Sequence, residues 1–176
     1  MTPDARSICS YILLAAALGA ALLNFPRASR AEVANPPAQA RAMTAADLHA
    51  LFGGKSWQWQ DGAGRLEIKD RQFIAFSGTG EQSSWAEGRW SVSDAGRLCL
   101  IADWHTTSGT YPARTCFVHK LDGDTIYQRK EPSGEWYVFK HAKPEAGDEF
   151  NKLVRDDLVF AEFAKRKTNT PSKKKP

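Results

Sequence analysis

The chain has 176 residues, and its 42% hydrophobic and 25% charged content is typical of a globular protein, which excludes a wholly disordered chain. Its net charge of +4 comes from the two ends, because the body over 32–164 carries 15 basic and 19 acidic residues. A nucleic-acid-binding domain carries its basic surface on the folded body. The composition therefore argues against nucleic acid as a partner, and the length predicts one domain.

The N-terminus has the order of a secretory signal. Arg6 precedes an apolar run of 13 residues over 11–23 (YILLAAALGAALL), and the small residues Ser29 and Ala31 follow it. This order predicts export, to the periplasm or out of the cell, with 1–31 as a signal peptide cleaved near Ala31. The run is shorter than the roughly 20 residues that a spanning helix needs. An uncleaved membrane anchor remains the alternative.

The residues after the signal predict a linker and then a short helix. Residues 32–43 are rich in Pro and Ala and lack periodicity, so we expect a flexible linker before a single β-rich domain over 44–164. Thr44 begins the sequence TAADLHALF, with Asp47 three residues later as in a capping box. This pattern predicts a short N-terminal helix that packs on the domain.

Short apolar runs separated by turn sequences follow the helix. We predict eight strands, near 56–60, 64–69, 72–77, 88–92, 97–105, 113–120, 124–129 and 135–140. No gap between them is long enough for a helix, which indicates a mainly β fold with one antiparallel meander. Such a meander closes into a barrel-like, strongly curved sheet or is covered by helices. A possible C-terminal helix follows over 149–164, and 165–176 predicts a disordered basic tail.

Two cysteines remain once removal of the signal has taken Cys9. In an oxidising compartment, Cys99 and Cys116 predict a disulfide between two neighbouring strands, joined by the turn sequence TTSG at 106–109. If the two cysteines lie opposite each other, His105 faces Thr110 across a four-residue loop, which is an allowed hairpin length. A redox-active or metal-binding pair is the alternative, but the chain has no CxxC motif.

Alternation along these strands predicts which side chains face the core. One face should carry Leu98, Leu100, Ala102 and Trp104, together with Thr115 and Phe117 from the partner strand, and the other face Cys99, Ile101, Asp103 and His105. Of the six tryptophans, Trp90, Trp104 and Trp136 are predicted to lie in the core.

The other tryptophans are candidates for ligand binding. Trp85 lies in the polar sequence EQSSWAEG and is predicted to be exposed, where it suits stacking on a sugar ring or docking a partner. Trp57 and Trp59 share one face near the start of the sheet. Asp103 and His105 complete the candidates, although an ion pair between Asp103 and Arg114 on the neighbouring strand explains the carboxylate more simply. We predict no metal, cofactor or catalytic residue.

The order of several short motifs resembles one protein family. These are SWQW at 56–59, GRW at 88–90, GRLC ending at Cys99, Asp103–Trp104, RTCF at 114–117, YQR at 127–129 and GEWYVF at 134–139. They resemble the domain of unknown function 995 family of exported proteins, found mainly in alpha-proteobacteria, over about 44–160. The resemblance implies export, the cysteine pair and a compact β-rich domain, and it implies no catalytic residues.

Three functions are compatible with these features. The first is a non-catalytic envelope protein that binds a partner protein or an envelope polysaccharide, with the basic tail touching an anionic membrane surface. The second is a lipocalin-like carrier, which predicts an apolar cavity on the order of 300 Å³ or more. The third is a hydrolase with a site near Asp103, His105 and His119. Burial of both Trp85 and Trp57 would count against the first.

Overall fold

The computed structural model describes residues 34–169. They form a ten-stranded antiparallel sheet, curled into a half-barrel, and two helices. The elements in chain order are β1 (Arg41–Ala42), α1 (Ala45–Phe52), β2 (Lys55–Trp59), β3 (Gly62–Leu66), β4 (Gln72–Ser77), β5 (Ser84–Ser93), β6 (Arg97–His105), β7 (Thr110–Asp122), β8 (Thr125–Lys130), β9 (Tyr137–Lys140), β10 (Leu153–Val154) and α2 (Phe160–Asn169). The predicted mainly β fold is confirmed.

Strand order follows chain order from β2 to β9, as a meander requires, with β10 added beside β2. The eight predicted strands correspond to β2–β9. The prediction missed β1 and β10, which have two residues each and carry no alternation that a sequence pattern could reveal. Short turns connect most of the long strands. The paired strands twist relative to one another, so the sheet curves around one concave face.

The central hairpin has the predicted register. Cys99 pairs with Cys116 and His105 with Thr110. The Cα atoms of the two cysteines are 4.1 Å apart and their sulfurs form a disulfide bond. The predicted staple between β6 and β7 is therefore confirmed.

Helix α1 fills one end of the concave face. Thr44 Oγ1 accepts a hydrogen bond from the Asp47 amide at 3.1 Å, and the Asp47 carboxylate accepts one from the Thr44 amide at 3.0 Å, so the capping box fixes the start of the helix. Leu48 and Phe52 are fully buried. The Phe52 ring lies 5.6 Å from that of Trp57. This helix closes only part of the half-barrel.

Helix α2 packs on the opposite, convex face, and its position corrects two predictions. The predicted C-terminal helix is present, but its predicted bounds of 149–164 are wrong, because 149–152 is a single 3₁₀ turn and the helix starts only at Phe160. The Asp157 carboxylate accepts hydrogen bonds from the amides of Val159 and Phe160, both at 2.9 Å, and so sets this start.

The first part of the predicted disordered tail, 165–169, belongs to this helix. Arg166 donates hydrogen bonds to the carbonyls of Ser77, Gly78 and Ser84, at 2.8, 3.0 and 3.2 Å. Arg166 therefore packs against the sheet, which composition alone could not reveal. Residues 170–176 lie outside the described residues.

The predicted flexible linker also needs correction in its second half. Arg41 and Ala42 pair with the end of β7, which extends past its pairing with β6. Ala40 and Met43 are buried. The predicted signal peptide, 1–31, lies outside the described residues. Within 34–169, no helix is long and apolar enough to cross a membrane.

Candidate ligand cavity

The concave face contains a cavity of about 490 Å³ beyond the end that α1 fills. This volume is within the range of small-molecule sites, about 300–1,000 Å³. Eight apolar side chains line it: Trp57, Trp59, Phe73, Leu100, Ala102, Trp104, Ala113 and Phe117. Four lining residues carry polar groups: Thr115, Lys130, Tyr137 and Glu149. Walls of this composition suit an apolar ligand that is oriented by a few polar contacts.

Small residues on three neighbouring strands leave the space for the cavity. Gly88 of β5 pairs with Ala102 of β6, which pairs with Ala113 of β7, so the three positions share the concave face. A Cβ atom on Gly88 would lie 2.5 Å from the Ala102 Cα and 2.1 Å from the Ile101 carbonyl oxygen, so the close approach of these strands requires glycine. Larger residues along this row would fill the half-barrel.

Several apolar walls of the cavity remain partly open to solvent. Leu100, Trp104 and Phe117 face the interior of the half-barrel, yet each is only partly buried and packs against the edge of the core. Interior-facing apolar side chains normally bury themselves against one another. A ligand on this face would remove their remaining surface from water, which stabilises a complex.

The indole N–H groups of two wall tryptophans already have partners. Trp57 Nε1 donates to Glu149 Oε1 at 3.0 Å, and Trp59 Nε1 donates to Ser77 Oγ at 3.1 Å. These bonds fix the orientation of both rings. The two tryptophans therefore present ring surface to the cavity, which favours apolar contact over hydrogen bonding.

A buried polar chain holds Tyr137 in the cavity wall. The Tyr137 hydroxyl donates to Gln128 Oε1. Gln128 Nε2 lies 2.5 Å from His119 Nε2, and His119 Nδ1 lies 3.1 Å from the Gly96 carbonyl oxygen. Gln128 and His119 are fully buried. Because Gly96 O can only accept, His119 donates from Nδ1 and accepts at Nε2, which is the neutral form of the ring.

Burial sets the protonation of this chain. It lowers the pKa of His119 to about 4, against a smaller opposing effect of the hydrogen bond to Gly96. Burial also raises the pKa of Tyr137, and the nearby Glu149 carboxylate adds to that rise. Both groups are therefore uncharged at neutral pH, and the wall they form contributes no charge.

Two charged groups line the cavity, and their environments differ. The Glu149 carboxylate accepts from Trp57 at one oxygen and from Lys152 Nζ at the other, the latter at 2.6 Å. Lys130 is the exposed member of the described lining residues, which places it where the cavity opens to solvent. Among the ion pairs within 34–169, none involves Lys130.

Of the five ligand-binding candidates from the sequence, the cavity brings together two. Trp57 and Trp59 line it, although Trp57 is only 8% exposed. Trp85, His105 and Asp103 lie on the convex side, so no single site contains all five. The five residues are not one constellation.

The prediction that Trp85 is exposed is wrong. Trp85 belongs to β5 and is 6% exposed, because the His105 ring stacks on it at 3.8 Å and Phe163 of α2 packs edge-on at 5.5 Å. With Trp57 also buried, the exposed aromatic surface expected of a partner-binding module is absent at these positions. The polar residues around Trp85 suggested that its side chain is exposed. The helix that covers it lies far along the chain, so the local sequence does not show this contact.

The other expectations for this region also change. Asp103 pairs in register with Pro112, and it forms no ion pair with Arg114, whose Nη2 instead lies 3.8 Å from Cys99 Sγ. His119 is buried on the concave face, whereas His105 stacks on the convex side, so a hydrolase site near Asp103, His105 and His119 is not assembled. Within 34–169, no three His, Cys, Asp or Glu side chains are arranged to hold a metal ion.

Trp136 is a further correction. It is half-buried outside the core, with the Arg129 guanidinium 5.2 Å and the Lys120 ammonium 5.8 Å from its ring. Its neighbours Tyr137 and Phe139 face inward instead. The sequence WYVF places apolar residues on both faces, with Trp136 and Val138 on one and Tyr137 and Phe139 on the other, so its pattern does not say which face is buried.

Sequence reasoning missed the residues that give the cavity its polar character, above all Lys130, Tyr137 and Glu149. A signal for the walls existed, since Leu100, Ala102, Trp104, Thr115 and Phe117 were predicted to share a face. That prediction of a shared face is correct, but it did not distinguish a filled core from an open cavity. The concave face is an open cavity where α1 does not cover it. The extent of this cover is seen only in the three-dimensional structure.

Comparison with known proteins adds a family and nothing closer. No curated protein and no solved structure matches the chain. Residues 20–159 match a family described as Protein of unknown function (DUF995), a span that includes the whole sheet and the disulfide. The chain therefore belongs to the DUF995 family.

Proposed function

We propose that this protein is a non-catalytic carrier that binds one small apolar ligand in the concave cavity. The observation that carries the proposal is the cavity itself: about 490 Å³, walled mainly by aromatic and aliphatic side chains on the open side of a half-barrel. Half-buried walls such as Leu100 and Trp104 gain burial when a ligand enters. Curved antiparallel sheets hold single small ligands in this way in lipocalin-type barrels.

Export belongs to the same proposal. A disulfide between Cys99 and Cys116 is compatible with an oxidising compartment. The signal-like order of residues 1–31 supports the same location. A carrier in the cell envelope would move or store an apolar compound across an aqueous space. The mass of the protein isolated from the periplasmic fraction tests this location, and a chain that stays cytosolic with reduced thiols contradicts it.

The binding test uses N-phenyl-1-naphthylamine, an uncharged apolar dye that fluoresces when it leaves water. We expect one dye molecule to bind per chain. In Ala113→Phe the added ring occupies the cavity beside Ala102, so affinity should fall by about tenfold or more, the equivalent of about 1.4 kcal/mol. Ala113 is half-buried, which gives the larger side chain room without disrupting the core.

Ile101→Phe is the matched control. It adds a ring to the same pair of strands, but Ile101 is 46% exposed and alternates to the convex face, away from the cavity. We expect this variant to bind the dye like the original protein. Thermal unfolding of both variants shows whether each is folded, and Ala113→Leu replaces Ala113→Phe if the larger residue destabilises the fold. Equal dye binding by the original, Ala113→Phe and Ile101→Phe proteins would refute the carrier proposal.

A further inference from the structure

The charges around the cavity indicate which apolar ligands it selects. Glu149 is the acidic group of the wall, and both of its oxygens are engaged, one by Trp57 and the other by Lys152. Its charge is therefore balanced within the protein. A ligand gains little from presenting a cation to it, because the carboxylate has no free oxygen and already has a lysine beside it.

Lys130 is the charged lining residue that has no counter-charge among the ion pairs of residues 34–169. The nearest acidic residue along the chain, Glu131, is held by Arg97 through two hydrogen bonds of 2.8 and 2.9 Å. Lys130 pairs in register with Phe117, so its stem follows an apolar wall and its ammonium stands at the opening. A positive group at the rim of an apolar cavity is complementary to an amphipathic anion.

We propose that the ligand is an apolar carboxylate, with its hydrocarbon or aromatic body in the cavity and its carboxylate at Lys130. This inference rests on the proposed carrier function and specifies its ligand class. The neutral phenol of Tyr137 and the indole faces of Trp57 and Trp59 contact the body of the ligand, and the head remains at the solvent-facing rim. A fatty acid and an aryl carboxylate share this chemistry, and the choice between them depends on chain length and shape.

The test compares three ligands that share a twelve-carbon chain and differ in the head group: dodecanoate, dodecanol and dodecyltrimethylammonium. Each displaces N-phenyl-1-naphthylamine from the purified protein at pH 8 and low salt, below the concentration at which the ligand forms micelles. We expect dodecanoate to bind about fivefold more tightly than dodecanol, the effect of one solvent-screened ion pair. The cation should bind most weakly, and added salt should reduce the advantage of dodecanoate.

Two variants assign the effect to its residue. Lys130→Met keeps the apolar stem and removes the charge, so dodecanoate should lose its advantage over dodecanol. Lys120→Met removes the same charge from the neighbouring strand, where Lys120 lies over Trp136 outside the cavity, and should retain the advantage. The carboxylate 4-octylbenzoate in place of dodecanoate then distinguishes a preference for aryl carboxylates from one for alkyl carboxylates.

The outcomes separate this inference from the carrier proposal. Dodecanol binding as tightly as dodecanoate, or an advantage that survives Lys130→Met, overturns the carboxylate assignment and leaves the carrier standing. Exclusion of the dye and of all three ligands, in a protein that is folded, overturns both. If light scattering then shows a dimer, a second copy of the chain is the occupant, and the small-ligand account is replaced.

Discussion

His119 should make the stability of the fold fall on acidification from about pH 6.5 downward. Its ring is fully buried, Nδ1 donates to the Gly96 carbonyl and Nε2 accepts from Gln128. Protonation would place an N–H at Nε2 against the amide of Gln128, so that two donors face each other. Burial already lowers the pKa of His119 from 6.5 to about 4. The folded state therefore binds the proton more weakly than the unfolded state does.

This difference in proton affinity makes the folded state less stable in acid. Between pH 6.5 and about 4 the unfolded chain carries the His119 proton and the folded chain does not, so the free energy of unfolding falls as the pH falls through this window. Each pH unit removes about 1.4 kcal/mol, and the total from pH 7 to pH 4 is about 3 kcal/mol. Asp148 also has a lowered pKa, but its contribution is lost only near and below its ordinary value of 3.8.

Urea unfolding at pH 7.0, 5.5 and 4.5 measures the effect, with His119→Gln as the comparison because glutamine does not titrate. We expect the variant to be less stable at pH 7, since Gln128 and Gly96 lose their partner. The gap between the two proteins should narrow steadily as the pH falls. A difference in free energy of unfolding that is constant from pH 7 to pH 4.5 would show that His119 is not held neutral. It would contradict the buried hydrogen-bond chain from Gly96 to Tyr137.

Two further predictions concern the staple and the convex face. Reducing the bond between Cys99 and Cys116 should lower the free energy of unfolding by about 3 kcal/mol through the larger entropy of the unfolded chain. The double serine variant should show this lower stability and be insensitive to dithiothreitol. An unchanged stability on reduction would contradict the expectation. Phe163→Ala should destabilise the fold by about 3 kcal/mol and shift tryptophan fluorescence to the red as Trp85 becomes exposed. Phe160→Ala in the same helix, at a side chain that is 61% exposed, should cost about 0.5 kcal/mol or less, and similar losses in both variants would refute the packing of α2 on β5.

Local pattern was sufficient to predict the sheet and its central register. One face of the strand from Leu98 to His105 is apolar throughout, and one assumption, that Cys99 faces Cys116, fixed every other pair of the hairpin. The capping box at Thr44 likewise predicted the start of α1. These features depend on residues that are near in sequence or covalently joined, so their physics can be read from the sequence.

The errors occur where distant segments meet. Trp85 is buried by Phe163, and the basic residue Arg166 packs against turns of the sheet, contacts that no local pattern contains. The sequence offered a cavity only as the expectation of the carrier alternative, because the alternation of Leu100 and Trp104 predicts an inward face without saying whether anything fills the space in front of it. Nothing in the sequence distinguishes Lys130 from the other lysines. Its role as an anion-binding candidate follows only from the structure, in which Glu131 and Glu149 are engaged by other partners.

The carrier account is tested most directly by a crystal structure of the protein with 12-bromododecanoate. The account predicts anomalous bromine density on the concave face between Trp59 and Trp104, with the carboxylate at Lys130 and the indole rings of the wall unmoved. Bromine density on the convex face, or ordered ligand at neither face in a crystal soaked to saturation, would contradict it.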